Sequence, residues 1–400
     1  MKNKINLAIT VLFLALIFGF GISFWIVPDT DFSPEENRPL QTFPALSAEE
    51  WLDGKVSSRL INYYSDQFPL RDMWLSLHAV GELGLGRGES NGVLLGRDQQ
   101  LAVRRFDAYV SLTERLEDTD HYDPSHVQKG LDAVIALEKT LAEDGIPLCV
   151  LLAPRTIDVT IGDFGYPSDL PDRLDTAIQT VFDGADINSV ELLDTFRDLH
   201  NSGEYVYFRT DHHWTALGAY TAYTAVMESW GMGEAILPTD FFTVRTVPGF
   251  YGTTYSRSGM LFILPDTLEI WEAADGSDRR YTVTDERGET VIESGFISEK
   301  YLSEKDKYGA FLDGTHAVLH ITDRDAAARG ENRPRLLLAR DSFANSMVPY
   351  LARHFDICMV NLSGGKTNLS ELAREYACDR VLIVCNRENL ITSDCLRNVQ

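Results

Sequence analysis

Five consecutive residues, Thr210-Asp211-His212-His213-Trp214, hold the densest set of proton-handling groups in this chain of 400 residues. They follow the apolar run YVYF (205–208) and precede a helix-spaced stretch, TALGAYTAYTAVMESW (215–230). That context puts them at the end of a strand, expected over 205–214, where α/β proteins gather their reactive groups. On extended backbone, residues i and i+2 point the same way, so Asp211 and His213 face one site and His212 another. A carboxylate beside an imidazole fixes its tautomer and stabilises the imidazolium.

Such a base needs a nucleophile. PRLLLARDSF (334–343) reads as a buried strand followed by a turn. Ser342 then stands at the strand's carboxyl end and opens a helix. Its N–H is placed to stabilise an oxyanion, a contribution of about 3–4 kcal/mol per donor. A serine hydroxyl attacks only when a base takes its proton, so Ser342 and His213 need each other. Asn345, three residues on, is the expected second oxyanion donor, with a backbone N–H elsewhere as the alternative. Each half also has a plainer reading. DHHW serves equally as an acid-capped helix start, and DSF is a common cap signal. Their joint position at strand ends of one sheet is what favours a Ser-His-Asp site.

Other chemistries lack their spacing. His212 and His213 are adjacent rather than i and i+4 as on a zinc helix, and His121 and His200 add no ligand pattern. No GxxxxGK[ST] loop occurs, and no GxGxxG follows a strand. No metal and no cofactor are therefore expected.

The elements that must position these groups alternate. A helix over 126–144 leads into PLCVLLAP (147–154). A helix over 168–183 follows, then a possible strand at 187–193. After Ser342, a helical stretch crosses Pro349, where a kink or a restart is expected. Then come the strand ICMVNL (357–362), the helix SELAREYA (370–377) and the strand RVLIVCNREN (380–389). Continuous apolar strands between helices imply an α/β fold with a mostly parallel sheet flanked by helices. Residues 266–330 alternate instead, with turn signals at Asp275-Gly276 and Arg287-Gly288. They read as an antiparallel β insertion.

Lys2 and Lys4 precede an apolar run from Ile5 to Val27, whose 23 residues span roughly 34 Å, enough for a bilayer. Large residues at 24–27 argue against a cleavage site, and the basic end argues for an N-terminus left in the cytoplasm. The expected plan is a cytoplasmic tip (1–4), an anchor (5–27) and a tether with a helical segment (28–124), helical from about Ala48 to Leu85. The α/β domain follows in two parts (125–265 and 331–400) around the insertion (266–330). The chain would then be a single-pass protein of the cell membrane with its bulk outside. It carries 60 acidic against 36 basic groups, a formal charge of −24, which is the wrong sign for nucleic acid. Five cysteines without metal spacing read as buried free thiols.

At these residues the chain resembles the DHHW proteins. They are related to the SGNH-hydrolase-like alginate O-acetyltransferases of the AlgJ and AlgX type. Asp211, His213 and Trp214 match the Asp-x-His-Trp segment, and Asp341-Ser342 the serine turn. ENRPLQTFP (36–44), DQFPLRD (66–72), FYGTTYSRSG (250–259) and CNREN (385–389) extend the likeness over about residues 30–395. Arg340 departs from it, standing where a glycine would precede Asp-Ser. The resemblance implies an SGNH-like fold and O-acetyl transfer to hydroxyls of an exported polysaccharide. A membrane acyltransferase of the MBOAT type would be the acetyl donor. Ser342 would carry the acetyl group, His213 would act as base and Asp211 would orient it. Trp214, Tyr251 and Tyr255 would offer sugar-stacking faces, and Arg155, Asn386 and Arg387 would lie near the site. Deacetylation by the same triad is the first alternative, and an inactive glycan-binding scaffold the second.

Overall fold

The computed structural model describes residues 2–36, 38–44, 55–105, 124–365, 367–393, 395–397 and 399. The chain divides into two compact units, residues 1–92 with 255–262, and residues 93–254 with 263–400. His121, and the start of the helical stretch expected from about Ala48, lie outside the described residues.

In the first unit, helix α1 (Lys2–Ile26) contains the apolar run. Its stretch Lys4–Ile26 has a mean hydropathy of 2.5, and none of it is buried. That fits a membrane anchor or a signal sequence. Two further helices follow, α2 (Lys55–Asp66) and α3 (Arg71–Gly84). The break between them falls at Pro69 and at Leu70, whose backbone is left-handed (φ 59°).

The second unit is built on an eight-stranded sheet. Its strands are β1 (Leu148–Ala153), β2 (Ser189–Val190), β5 (Tyr281–Asp285), β6 (Thr290–Ile292), β7 (Val318–Asp323), β8 (Arg335–Arg340), β9 (Asp356–Asn361) and β10 (Arg380–Asn386), in the order β6-β5-β7-β9-β8-β10-β1-β2. From β9 to β2 the neighbours run parallel. From β6 to β9 they run antiparallel. The sheet is therefore mixed rather than mostly parallel. The expected insertion does not stand apart, because three of its strands extend the main sheet. Its first strand, β4 (Asp266–Ala273), instead pairs with β3 (Phe242–Phe250) in a separate antiparallel ribbon.

The parallel strands are apolar on both faces because both are covered. Leu336 and Leu338 of β8 enter one core with Leu382 and Val384 of β10. Leu337 and Ala339 enter the other with Val381 and Ile383. Helix α4 (Pro124–Glu143) covers the second face through Val127, Leu131, Val134, Leu137 and Leu141. Helix α5 (Asp172–Gly184) joins it there through Leu174, Ile178 and Phe182. Helix α6 (Leu193–Asn201) and helix α7 (Ala216–Ser229) cover the first face, α7 through Ala219, Ala222, Tyr223 and Val226. The five cysteines are buried free thiols.

Candidate active site

The segment 205–214 is not the expected strand. Only Tyr207 and Trp214 bridge to each other, and residues 209–213 bend irregularly. Tertiary bonds hold the bend in place of a ladder. The buried Asp266 carboxylate accepts from Thr210 N–H (2.8 Å) and Thr210 Oγ1 (2.7 Å). Tyr207 O–H donates to the Pro154 carbonyl at the end of β1. Asp211 and His213 still face the same way, but through a local turn in which Asp211 Oδ1 accepts from His213 N–H at 2.9 Å.

From that turn a continuous hydrogen-bonded chain runs outward. Asp211 Oδ1 lies 2.5 Å from His213 Nδ1, and His213 Nε2 lies 2.7 Å from Ser342 Oγ. The other Asp211 oxygen accepts from Thr253 N–H (2.7 Å) and Thr253 O–H (3.0 Å). Asp211 and His213 are buried, while Ser342 is only half-buried. Burial, then the neighbouring His212, pushes the His213 imidazole down to about 4, although Asp211 pulls the other way. Burial alone would raise Asp211, but the two histidines hold its carboxyl well below the usual range.

Ser342 begins a short 3₁₀ turn, Ser342–Ser346, directly after β8. Asp341 secures that turn. One of its oxygens accepts from Phe343 N–H (3.0 Å) and the other from Asn386 N–H (2.6 Å) and Asn389 Nδ2 (2.7 Å). The chain then restarts as a helix at Val348–Leu351, with Pro349 in its first turn as expected. Arg340, buried, turns its guanidinium to the His316 carbonyl at 3.5 Å, and burial lowers it to about 10.

Three residues at the site escaped the sequence reading. The Tyr308 ring lies flat on the His213 ring (3.7 Å between centroids, 9° between planes). Its hydroxyl donates to the Ser342 carbonyl (3.2 Å) and lies 3.1 Å from Ser346 Oγ. Thr253 grips Asp211. Gly252 gives way to it, since a Cβ at this position would lie 2.2 Å from Asp211 Oδ2. The segment FYGTTYSRSG pointed at the last two; nothing in the sequence pointed at Tyr308.

Other expectations change. Trp214 is fully buried, and its indole N–H donates to Phe343 O (3.1 Å) and Ser346 Oγ (2.9 Å). Its rings are core, braced against Phe343 and Phe196, and offer no face to a sugar. Arg155 is buried and spends its guanidinium on Asp158 (Nη2–Oδ1 2.8 Å) and the Arg105 carbonyl (3.1 Å). Arg387 is buried against Asp175. Both arginines are structural ion pairs rather than ligand groups. Asn386 caps helix α8 (Arg387–Thr392) through Glu388 N–H (2.7 Å) and reaches the site only through its backbone bond to Asp341. Asn345 is buried in the serine turn, with no partner on its Oδ1 among the described residues. Tyr251 is half-exposed beside Gly252, with Lys305 Nζ 6.0 Å from its ring. Tyr255 belongs to the first unit, not to the one that carries Ser342.

Asp211, His212 and His213 also bring one ligand atom each within 4.8 Å of one another. A cation there would have to displace existing bonds, because both His213 nitrogens and both Asp211 oxygens already have partners. A cavity of about 390 Å³ lies beyond Ser346, walled by Trp271, Phe296, Tyr350 and Glu269. The triad residues do not line it.

A family model described as DHHW protein matches residues 136–361, more than half of the chain, and the chain belongs to that family. Probable alginate O-acetylase AlgJ of Pseudomonas putida is 24% identical over 231 residues, which is 57% of this chain and 54% of that protein. Its namesake in Azotobacter vinelandii is 22% identical over 223 residues, 55% of this chain and 51% of that one. The chain thus spans about half the length of the curated relatives it matches. Among solved structures, a DHHW family protein from Eubacterium siraeum aligns with a TM-score of 0.56 at 16% identity, covering 77% of this chain and 95% of that one. Bacillus cereus PatB1, solved with a sulfonyl adduct, aligns with a TM-score of 0.58 at 18% identity, covering 77% and 100%. These two likenesses concern the fold.

Proposed function

We propose that the protein is an extracytoplasmic serine O-acetyltransferase of SGNH type, acting on hydroxyls of a cell-envelope polysaccharide. The observation that carries this reading is the unbroken line Asp211–His213–Ser342, with links of 2.5 and 2.7 Å, ending on a half-buried hydroxyl. His213 Nε2 takes the Ser342 proton as Oγ attacks the acetyl carbonyl of the donor. The donor's leaving oxygen recovers that proton from the imidazolium, and acetyl-Ser342 remains. A sugar hydroxyl then gives its proton to His213 and attacks, and Ser342 regains a proton as the ester leaves.

Asp211 stabilises the imidazolium while staying ionised, and Thr253 holds it in line. The depressed imidazole keeps His213 neutral, and so ready as a base, at pH 7. Tyr308 positions both partners, the base through its ring and the Ser342 peptide through its hydroxyl. The Ser342 N–H, at the head of its turn, is the first oxyanion donor and the Asn345 amide the second. Helix α1 is read as an uncleaved single-pass anchor with its N-terminus in the cytoplasm. The probable alginate O-acetylases among the relatives support transfer over hydrolysis, with an MBOAT-type protein as the proposed donor.

The test is p-nitrophenyl acetate turnover by the detergent-solubilised chain, compared with Ser342→Ala and His213→Ala. Activity lost in both variants, with circular dichroism unchanged, is the expected result. Equal activity in all three would overturn the triad. Adding oligosaccharide acceptors then separates acetyl transfer from release of free acetate.

A further inference from the structure

Helices α2 and α3 share the first unit with α1, and one exposed face of the pair is apolar. A helix resting on a protein core shows its polar side to water. In α3 the exposed large apolar residues are Met73, Trp74, Leu77 and Val80, with Leu70 at its cap (61% exposed) and Leu77 at 54%, and His78 is the one exposed polar side chain among them. Spaced three and four apart, they form one face. Arg71, Asp72 and Glu82 lie on the half-buried side. The stripe continues along α2 through Ile61 and Tyr64 and just past it to Phe68, all exposed, while Ser58, Arg59, Asn62 and Ser65 expose a polar side of the same helix.

This apolar face is continuous with α1. Phe20, Ser23 and Phe24, on one side of α1, are its half-buried residues near the carboxyl end. The Phe20 ring stacks on Phe68 (5.7 Å) and tilts against Trp74 (5.6 Å), and Phe24 stacks on Tyr64 (5.2 Å). Polar bonds lock the segment just past the helix. Tyr63 O–H donates to Asp29 (3.1 Å), and the Gln67 amide brackets Thr30 by accepting from its N–H (3.0 Å) and donating to its carbonyl (2.8 Å). Phe20 precedes the end of the apolar run at Val27 by seven residues, about 10 Å along a helix. Rings that touch Phe20 therefore sit about that far inside the level where the run ends. Interfacial helices bury their apolar face roughly 5–10 Å deep, and Trp and Tyr favour that zone.

We infer that α2 and α3 form an interfacial platform that lies in the outer headgroup–acyl boundary of the bilayer crossed by α1, with lipid covering the Leu70–Leu77–Val80 face. The inference rests on reading α1 as an anchor. The polar edge of the platform is closed on itself, Arg38 pairing with Asp66 (2.6 Å) and Arg71 with Glu36, which lowers the cost of holding charge beside the low-dielectric acyl boundary.

The test uses the full chain in phosphatidylcholine–phosphatidylglycerol vesicles. A nitroxide is placed at Leu77→Cys or Val11→Cys; the five native thiols are buried and label poorly. Power saturation compares collision with oxygen, which partitions into lipid, and with a nickel chelate, which stays in water. Oxygen access exceeding nickel access at both positions is expected. An oxygen-rich Val11 site with a nickel-accessible Leu77 site overturns the platform and leaves the anchor standing. A Leu77 site shielded from both reagents means that protein covers the face, and overturns lipid as the occupant. A nickel-accessible Val11 site removes the anchor and the platform with it.

Discussion

Two hydrogen-bonded polar groups in the second unit lie close to strand ends, and each holds a buried aspartate, yet they end differently. Arg155 and Asp158, just past β1, are almost wholly buried and close on each other through Nε and Nη2. Asp211, His213 and Ser342 are also knit by short bonds, but their line ends on a residue that is only half-buried. A buried pair whose guanidinium is taken up by Asp158, the Arg105 carbonyl and Glu388 has little left to offer a ligand, and breaking it weakens the compensation of a buried charge. A chain with one open end can pass a proton along its length. On the proposed reading it is the half-buried end, not burial or polarity, that sets the candidate site apart.

The comparison can be broken from either side. Asp211→Asn removes the charge that sets the His213 tautomer, so ester turnover should fall by about 10⁴-fold. A loss under tenfold, with folding intact, would mean that His213 does not depend on Asp211. Arg155→Met should do the reverse. Stability drops by about 3–5 kcal/mol, because the buried Asp158 loses its guanidinium partner, while turnover per folded molecule holds. Denaturant melts beside active-site-titrated rates check this, and a large rate loss in the folded fraction would make Arg155 part of the site after all. Gly252→Ala pushes against Asp211 and should cost about 10²-fold in rate through displacement of roughly an ångström.

The smallest effect concerns pH. A base works only when unprotonated, so the acid limb of kcat/KM should follow His213 and fall away near 4. His212 holds His213 down, so His212→Gln should move that limb upward, toward the ordinary histidine range. An unmoved limb would leave burial as the sole cause.

Much of the candidate site's geometry was readable along the chain, in part for the wrong reason. Asp211 and His213 were expected to face together on an extended strand. They do so through an Asx-type turn, held by Asp266, which lies 55 positions away. Ser342 was legible because an apolar strand followed by Asp-Ser marks a strand-to-helix corner. Trp214 misled because an indole looks the same whether it stacks on a ligand or fills a core, and here the N–H found buried partners. The mixed sheet was half visible. β7 alternates half-exposed and buried residues, whereas β8 is buried along five successive positions, yet alternation says nothing about which sheet a strand will join.

Read alone, the residues specify what is local. They set the bilayer-length apolar run, the acidic surface, the alternation of helices and buried strands, and the stock of groups available for catalysis, because hydropathy and backbone preference act over a few residues at a time. The 2.7 Å between His213 and Ser342, the Tyr308 ring laid on the imidazole and the sealing of Arg155 against Asp158 belong to the folded chain. Each depends on burial and hydrogen-bond geometry contributed by segments far apart in the sequence, and no neighbouring residue carries that information.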